Sequence, residues 1–298
     1  MASQPVVFLE QDVRSPLGNR LGRFWAAFGL ATAYYPLLIV DSGHQVTSGY
    51  SYDLYSRYQN MVLAELPRPP QAELQLFTWQ TGNRIHFFAK ATNLTGTALS
   101  ATRNGASFSA LVYEDIHYGV TSRFVRAVVD RPVSSEMAPG GTAAFSGQTP
   151  ELTSVDWART HTVGLIDYRP AGNTGPYDML QAVRGLAPTL TLHPRELVFL
   201  VSPDSAQVPP QAVALEGPAV FSWTASWTAP WIAVSPASGP MSAAPSVTVL
   251  SAALSPGWQA AQVTMTASDG DGFSLTQVLE VRALLTGLSR VYLPLLAR

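Results

Sequence analysis

The chain has 298 residues, 47% hydrophobic and only 13% charged, with a formal net charge of −2 at pH 7 and no cysteine. That length supports two or three ordinary domains, each with its own core. No basic block of five or more residues occurs, so nucleic acid is not an expected partner, and disulfides, thiolate metal ligands and thiol chemistry by this chain are excluded.

The 23 Pro and 22 Gly are spread along the chain and favour short strands with many turns. Seventeen of the eighteen basic residues are Arg and one is Lys90, a bias that codon usage explains before chemistry does. No apolar run reaches the roughly 18–20 residues needed to span a bilayer. Residues 1–9 lack both the charged and the apolar region of a secretory signal, so the expectation is either a cytosolic protein or a start that is not the natural one.

In chain order, residues 6–13 read as a strand, and apolar side chains at 21, 24, 25 and 28 give residues 19–30 helical spacing. Tyr34-Tyr-Pro-Leu-Leu-Ile-Val40 reads as a buried strand entered through a proline. Asp41-Ser-Gly-His44 is then a turn into a short return strand at 45–47, and residues 51–66 form a helix stopped by Pro67. This order, with Pro36 at the place of a cis-proline, resembles the back half of a thioredoxin-like domain. The resemblance implies that the central strand and the redox Cys pair of that fold would lie before residue 6.

From Ala72 the hydrophobic period becomes two. Strands are expected around Leu74–Trp79, Ile85–Ala89, Phe108–Tyr113, Phe124–Val129, Thr162–Tyr168 and Tyr177–Val183. Between them lie turn signals such as Thr81-Gly-Asn, Arg103-Asn-Gly-Ala and Pro139-Gly-Gly. With Ala91-Thr-Asn-Leu-Thr-Gly, Val112-Tyr-Glu-Asp, Val155-Asp-Trp157, Gly164-Leu-Ile-Asp-Tyr-Arg-Pro170 and Asp178-Met-Leu-Gln-Ala182, residues 1–187 resemble a Bacteroidetes-type outer-membrane surface-protein family. That family joins a thioredoxin-like front to a β-sandwich.

Residues 188–283 contain seven further strand-like runs: 190–199, 213–215, 221–225, 231–234, 247–249, 261–266 and 276–282. Together with Trp227-Thr-Ala-Pro-Trp231, Pro236-Ala-Ser-Gly239 and Ser255-Pro-Gly257, these runs resemble the BACON-type immunoglobulin-like domain. The resemblance implies a surface context and contact with carbohydrate or mucin, or a spacer role. Val291-Tyr-Leu-Pro-Leu-Leu-Ala-Arg298 is similar to the terminal motif of certain exported bacterial proteins, or is a last strand.

Few residues are candidates for chemistry. Asp41, Ser42 and His44 are close in sequence, but a turn stabilised by Asp and Ser explains them, whereas a hydrolytic triad draws on distant segments. Glu114, Asp115 and His117 have metal-ligand types; on a strand, Asp115 and His117 share a face and Glu114 does not, so a site would need His86, His161 or Asp167 from other strands. Asp269-Gly-Asp-Gly272 with Glu280 departs from a calcium loop at Phe273 and Ser274 and reads as a hairpin turn. Trp223, Trp227, Trp231 and Trp258 read either as core or as a platform for sugar rings, with Trp227 expected to be the exposed one. Asn93-Leu-Thr95 matches a glycosylation sequon.

The expected fold is therefore mainly β: a partial thioredoxin-like α/β segment at 1–68, antiparallel β-sandwiches at 69–187 and 188–284, and a tail at 285–298. The expected function is an exported or cell-surface bacterial binding or spacer protein without catalytic activity, contacting glycan or a surface protein. The alternative is the non-catalytic part of a redox-linked exported protein. No catalytic, metal or cofactor residues are assigned, and Trp223, Trp227, Trp258, Glu114 and His117 are the candidate ligand contacts. A homodimer through a strand edge left unpaired at 1–68 is a further expectation.

Overall fold

The computed structural model describes residues 6–12, 14, 20–29, 32–50, 52–118, 120–203 and 208–286. The tail expectation at 291–298 lies outside them. The chain is mainly β and divides into two compact units, Met1–Ala187 and Pro188–Arg298.

The first unit opens with α1 (Leu21–Phe28), the antiparallel hairpin β1 (Leu37–Val40) and β2 (Gln45–Ser48), and α2 (Leu54–Glu65), whose N-cap Asp53 accepts from the Ser56 N–H. The Tyr35–Pro36 peptide is cis. Residues 6–9 make no strand. Glu10 instead forms an isolated parallel bridge to Phe124, donating to the Arg123 carbonyl and accepting from the Val125 N–H. That corrects the strand expected at 6–13, because an open strand edge downstream takes these backbone groups.

Two sheets follow. One has the order β3 (Ala72–Thr81), β4 (Arg84–Asn93), β7 (Thr142–Gln148); the other runs β6 (Val120–Pro132), β5 (Ser107–Tyr118), β8 (Thr160–Tyr168), β9 (Asp178–Arg184), and all their pairings are antiparallel. A two-residue loop with Gly82 at φ +56° joins β3 to β4. Both sheets contribute to one core, in which Leu76, Phe87 and Phe145 of the first meet Phe108, Ile166 and Leu180 of the second. Strand β7 escaped the sequence reading because Phe145 is its one large apolar residue. The turn expected around Arg103 is a single helical turn, α3 (Ala101–Asn104), capped by the Ser100 hydroxyl.

Residues 20–68 are held on the second sheet by charge. Asp167, in the middle of β8's far end, is completely buried and meets Arg20, Arg23 and the Ser107 hydroxyl, the last at 3.0 Å. Arg20 also donates to the Ser109 and Ser42 hydroxyls at 2.6 and 2.9 Å. A second network centres on Arg68, which contacts Asp41, Asp178 of β9, and Glu65 at 2.8 Å. Burial alone would raise the Asp167 pKa, but the two guanidiniums outweigh it and hold the carboxyl below its usual value.

In the second unit one sheet has the order β11 (Glu196–Val201), β19 (Ser274–Leu285), β18 (Gly257–Ser268), β14 (Ser222–Trp227), β16 (Ser238–Pro240). A second runs β12 (Gln211–Ala212), β17 (Ser246–Val249), β15 (Ile232–Ser235), and β10 (Thr191–His193) pairs with β13 (Ala214–Glu216). The expected strand at 190–199 is two strands, β10 and β11, separated by Pro194 and Arg195. Because β11 pairs with β19 in parallel, this unit is mixed rather than purely antiparallel. The two strands lie at opposite ends of the unit's sequence, which leaves ample chain for the crossover that parallel pairing requires. Val263, Met265 and Ala267 alternate into the interior with Phe221, Trp223 and Val281.

Among the described residues, no helix is long and apolar enough to cross a membrane.

Candidate functional site

Gly185 marks the place in the first unit where the chain passes from one sheet to the other. Its N–H donates to the Thr162 carbonyl of β8, while Leu186 pairs with β3 through hydrogen bonds to the Leu76 carbonyl and from the Thr78 N–H. A Cβ at Gly185 would stand 2.6 Å from the Thr78 hydroxyl oxygen, so only glycine lets the two backbones approach this closely.

Beside this crossing lies a cleft of about 250 Å³, smaller than the usual small-molecule site and large enough for no more than one ring-sized group. Three aromatic residues line it: Trp79 from β3, Tyr113 from β5, and Trp157 from the single turn preceding β8. Thr78, Gln80, Thr160 and Thr162 add hydroxyl and amide groups, and His161 and Arg184 stand at the exposed margin. Trp79 stacks on His86 with ring centroids 5.8 Å apart, and Tyr113 lies 5.4 Å from the His161 ring. Burial pushes the Tyr113 phenol above its usual pKa, against the pull of Arg184, so at neutral pH it is a hydroxyl able to donate a hydrogen bond. Trp79 and Tyr113 are themselves buried, so the accessible aromatic surface of the wall is mainly that of the half-buried Trp157, set beside polar side chains that can hydrogen-bond a hydroxylated ring.

Glu114 does not reach this cleft as a ligand contact. Its carboxylate is buried, paired with Arg126 (Nε to Oε2, 2.7 Å), and accepts the Asp156 N–H at 2.9 Å. Asp156 in turn caps the turn that carries Trp157, and Thr160 donates to the Asp156 carbonyl at 2.8 Å. Trp157 also packs against the small cluster of Ile85, Val112, Ala127 and Leu152. Glu114 is thus a positioning residue for Trp157, a correction that follows from its two fixed partners. His117 is exposed near the far end of β5, aligned with Thr121, and is not among the cleft residues.

Of the partners named for a metal site, His161 does meet Asp115, at 3.5 Å, and Asp115 also faces Arg123 at 3.6 Å. Asp167 aligns with Ser107 whereas His161 aligns with Tyr113, which puts them about 20 Å apart along β8. Of these strand residues, only Asp115 and His161 are brought together, while Glu114 is taken by Arg126 and Asp167 by Arg20 and Arg23.

The tryptophans of the second unit also separate. Trp223 is fully buried and its Nε1 donates to the Pro240 and Ala243 carbonyls at 2.9 and 3.0 Å, so it is a core residue. Trp231 is buried as well, and Trp227 is half-buried. Trp258, at 61% exposure, is the exposed one, contrary to the expectation for Trp227. It lies on the outer face of β18, because the odd-numbered Val263 and Met265 point inward. These residues form no common platform.

The remaining motifs are structural. Ser42 accepts from Arg20 while His44 Nδ1 faces Glu65 at 2.8 Å, so hydroxyl and imidazole do not meet. Asp41, His44 and Glu65 are close enough to share an ion, but Arg68 already occupies both carboxylates. Burial and the adjacent Glu65 raise the Asp41 pKa to about 7 despite Arg68; for Glu65, burial is outweighed by hydrogen bonds from Arg68, His44 and Gln45, and its pKa falls to about 2. Asp269 Oδ1 accepts the Asp271 and Phe273 N–H groups inside the β18–β19 hairpin, and Glu280 lies six positions up β19, paired with Gln262. Asn93 is buried, its amide donating to the Thr97 and Met137 carbonyls, and is closed to glycosylation.

The cleft draws on residues 78–80, Ile85, Tyr113, Trp157 with residues 160–162, and residues 184–185, segments far apart in the chain, which is why no local motif announces it. Val155-Asp-Trp157 was noticed only as part of a family likeness, and Trp79 only as a strand residue.

No protein-family model matches the chain, and no curated protein does. Among solved structures, mouse cadherin-23 EC22–24 is similar at 11% identity over 74% of this chain and 88% of that one, with a TM-score of 0.24. Spo0M, the sporulation control protein from Bacillus subtilis, is similar at 7% identity over 72% and 90%, with a TM-score of 0.28. Red sea bream transglutaminase is similar at 11% identity with a TM-score of 0.23, and the chain spans 34% of its length. Likenesses at these scores assign neither a fold family nor an activity.

Proposed function

We propose that this is a non-enzymatic binding protein of an exported or surface-attached type, and that the first unit takes a sugar ring of a glycan in the cleft beside Gly185. One observation carries the reading. Trp79, Tyr113 and Trp157 converge with four Thr and Gln side chains on a ring-sized space, at a place where Glu114 and Asp156 fix Trp157 in position. In the same reading residues 20–68 are a thioredoxin-like segment without redox function, and the second unit is an immunoglobulin-like, BACON-type spacer; the order of α1, the β1–β2 hairpin and α2 supports the former and the Trp231–Gly239 motif the latter. The test is glycan-array binding of the full chain followed by titration calorimetry on any hit. Trp157→Ala is expected to weaken binding at least tenfold, on the scale of a lost aromatic anchor, whereas Trp258→Ser leaves it unchanged. Binding that depends on Trp258 and not on Trp157 would move the site to the second unit.

A second reading, contact with a protein partner or a second copy of this chain, is favoured by a different surface. Tyr34, Tyr35, Tyr50, Tyr52 and Tyr55 are all strongly exposed around the two-stranded β1–β2 hairpin, and Tyr50 lies edge-on to Tyr52. Tyrosine supplies rigid contact area at low entropic cost. Light scattering decides it for self-association: a dimer that becomes a monomer in Tyr34→Ser/Tyr50→Ser/Tyr52→Ser supports this reading, and a monomer at all concentrations removes it.

A further inference from the structure

The cleft has an electrostatic asymmetry that its shape alone does not require. None of its lining residues is a carboxylate. Arg184, the one permanent cation among them, is exposed at the C-terminal end of β9 and has no ion pair among the described residues. Every other arginine discussed above is committed: Arg20 and Arg23 to Asp167, Arg68 to Asp41 and Asp178, Arg126 to Glu114, and Arg123 to Asp115. Arg57, Arg131, Arg169 and Arg195 likewise have no ion pair among the described residues, so what sets Arg184 apart is its place at the cleft. His161, at the same margin, has its imidazole oriented by Asp115 and by the Tyr113 ring.

We infer that the cleft selects an acidic sugar, a ring whose exocyclic carboxylate is bound by Arg184 while the ring itself lies among Trp79, Tyr113 and Trp157. A planar guanidinium binds a carboxylate through two parallel hydrogen bonds, and the cleft lining itself holds no carboxylate, Asp115 beside His161 being paired with Arg123. The Thr162 hydroxyl and the acceptor side of the Thr160 hydroxyl, whose proton goes to the Asp156 carbonyl, are left for the ring hydroxyls, and a carboxylate-bearing peptide end would leave them without partners. This rests on the glycan reading above and narrows it to a class of ligand.

The experiment uses matched pairs that differ only at the exocyclic carbon: galacturonate against galactose and glucuronate against glucose, titrated into the full chain and followed by ligand-observed NMR. At least one uronate is expected to bind about tenfold or more tightly than its neutral partner, as for a charge-assisted contact, and to weaken as salt is added. Arg184→Gln should abolish that preference and bring the pair to equal affinity, while Arg184→Lys retains part of it. Arg184 is exposed, so neither variant is expected to alter folding, and an unchanged melting curve verifies this. Neutral and acidic members that bind alike, in a way lost on Trp157→Ala, would overturn the acidic preference and leave the glycan reading standing. Binding by neither pair, with Arg184-dependent binding of a short peptide through its C-terminal carboxylate, would overturn both.

Discussion

The two ends of strand β8 carry the same kinds of side chain in opposite circumstances. At one end Asp167 is buried beneath Arg20 and Arg23, with Ser42, Ser107 and Ser109 satisfying the remaining donors and acceptors. At the other end Thr160, His161 and Thr162 open onto a cleft in which Arg184 has no acidic partner. A buried charge whose every partner comes from the chain is explained by the chain, since ionised groups persist out of water only when paired and hydrogen-bonded. An exposed cation among aromatic and hydroxyl groups has no such internal account. The contrast separates an attachment point from a binding site more reliably than residue type does, for an Arg–Asp–Ser set taken alone looks more like chemistry than a few Thr and Trp.

The largest effect expected from breaking the contrast is at the closed end. Asp167→Ala leaves Arg20 and Arg23 with only the partly exposed Asp130, at 4.0 and 3.7 Å, as counter-ion and should cost about 3–5 kcal/mol in the urea unfolding free energy of the first unit. Residues 20–68 should become the first target of limited proteolysis; a variant in which they stay protected would show that the charge network is not what attaches them. Next in size is the floor of the open end. Gly185→Ala forces a methyl against the backbone-proximal atoms of Thr78 and should cost about 1–3 kcal/mol, with loss of binding at the cleft measured alongside the melting temperature.

Glu114→Gln tests whether the open end is held in shape from behind. It weakens the Arg126 contact and the tie to Asp156, so a cost of about 1–2 kcal/mol is expected, together with a shift of Trp157 fluorescence and a several-fold loss of ligand affinity. An affinity loss without any change in Trp157 fluorescence would argue that Glu114 acts by another route.

A separate test is a pH dependence at the closed end, where Asp41 shares Arg68 with Glu65 and Asp178 and where His44 faces Glu65. With its pKa raised from 3.8 to about 7, folded Asp41 holds a proton that the unfolded chain releases, so its contribution to stability is present below about pH 4 and lost as the pH rises to 7. Glu65, lowered from 4.5 to about 2, works in the opposite sense: its contribution is present above pH 4.5 and lost as the pH falls toward 2. Asp41→Asn should therefore match the parent chain near pH 4 and gain on it steadily up to pH 7 in denaturation series. A stability difference that is constant across this range would show that Asp41 is ionised throughout.

Most strands of both units, the short β12 and β16 excepted, were legible because side-chain alternation and apolar runs are local signals, and Gly-Asn, Pro-Gly-Gly and Asp-Gly steps mark where the chain reverses. Strand β7 was not legible, since an edge strand with only Phe145 facing the core needs no alternating apolar set. The parallel β11–β19 pairing was equally hidden, because it joins segments some eighty residues apart.

For the site, the sequence by itself determined the kinds of groups present: no thiols, few charges, and tryptophans and threonines on strands. It could not distinguish the buried Trp223 from the exposed Trp258, or Glu114 as a support from Glu114 as a contact, because burial and partners are properties of strand register and sheet stacking. Only the tertiary structure decided that Trp79, Tyr113, Trp157 and Arg184, from four strands or turns up to 105 positions apart, line one cleft, while Arg20 and Asp167, 147 positions apart, cancel each other inside. The physical reason is that pairing energy depends on distance and desolvation, and a chain without its fold specifies neither.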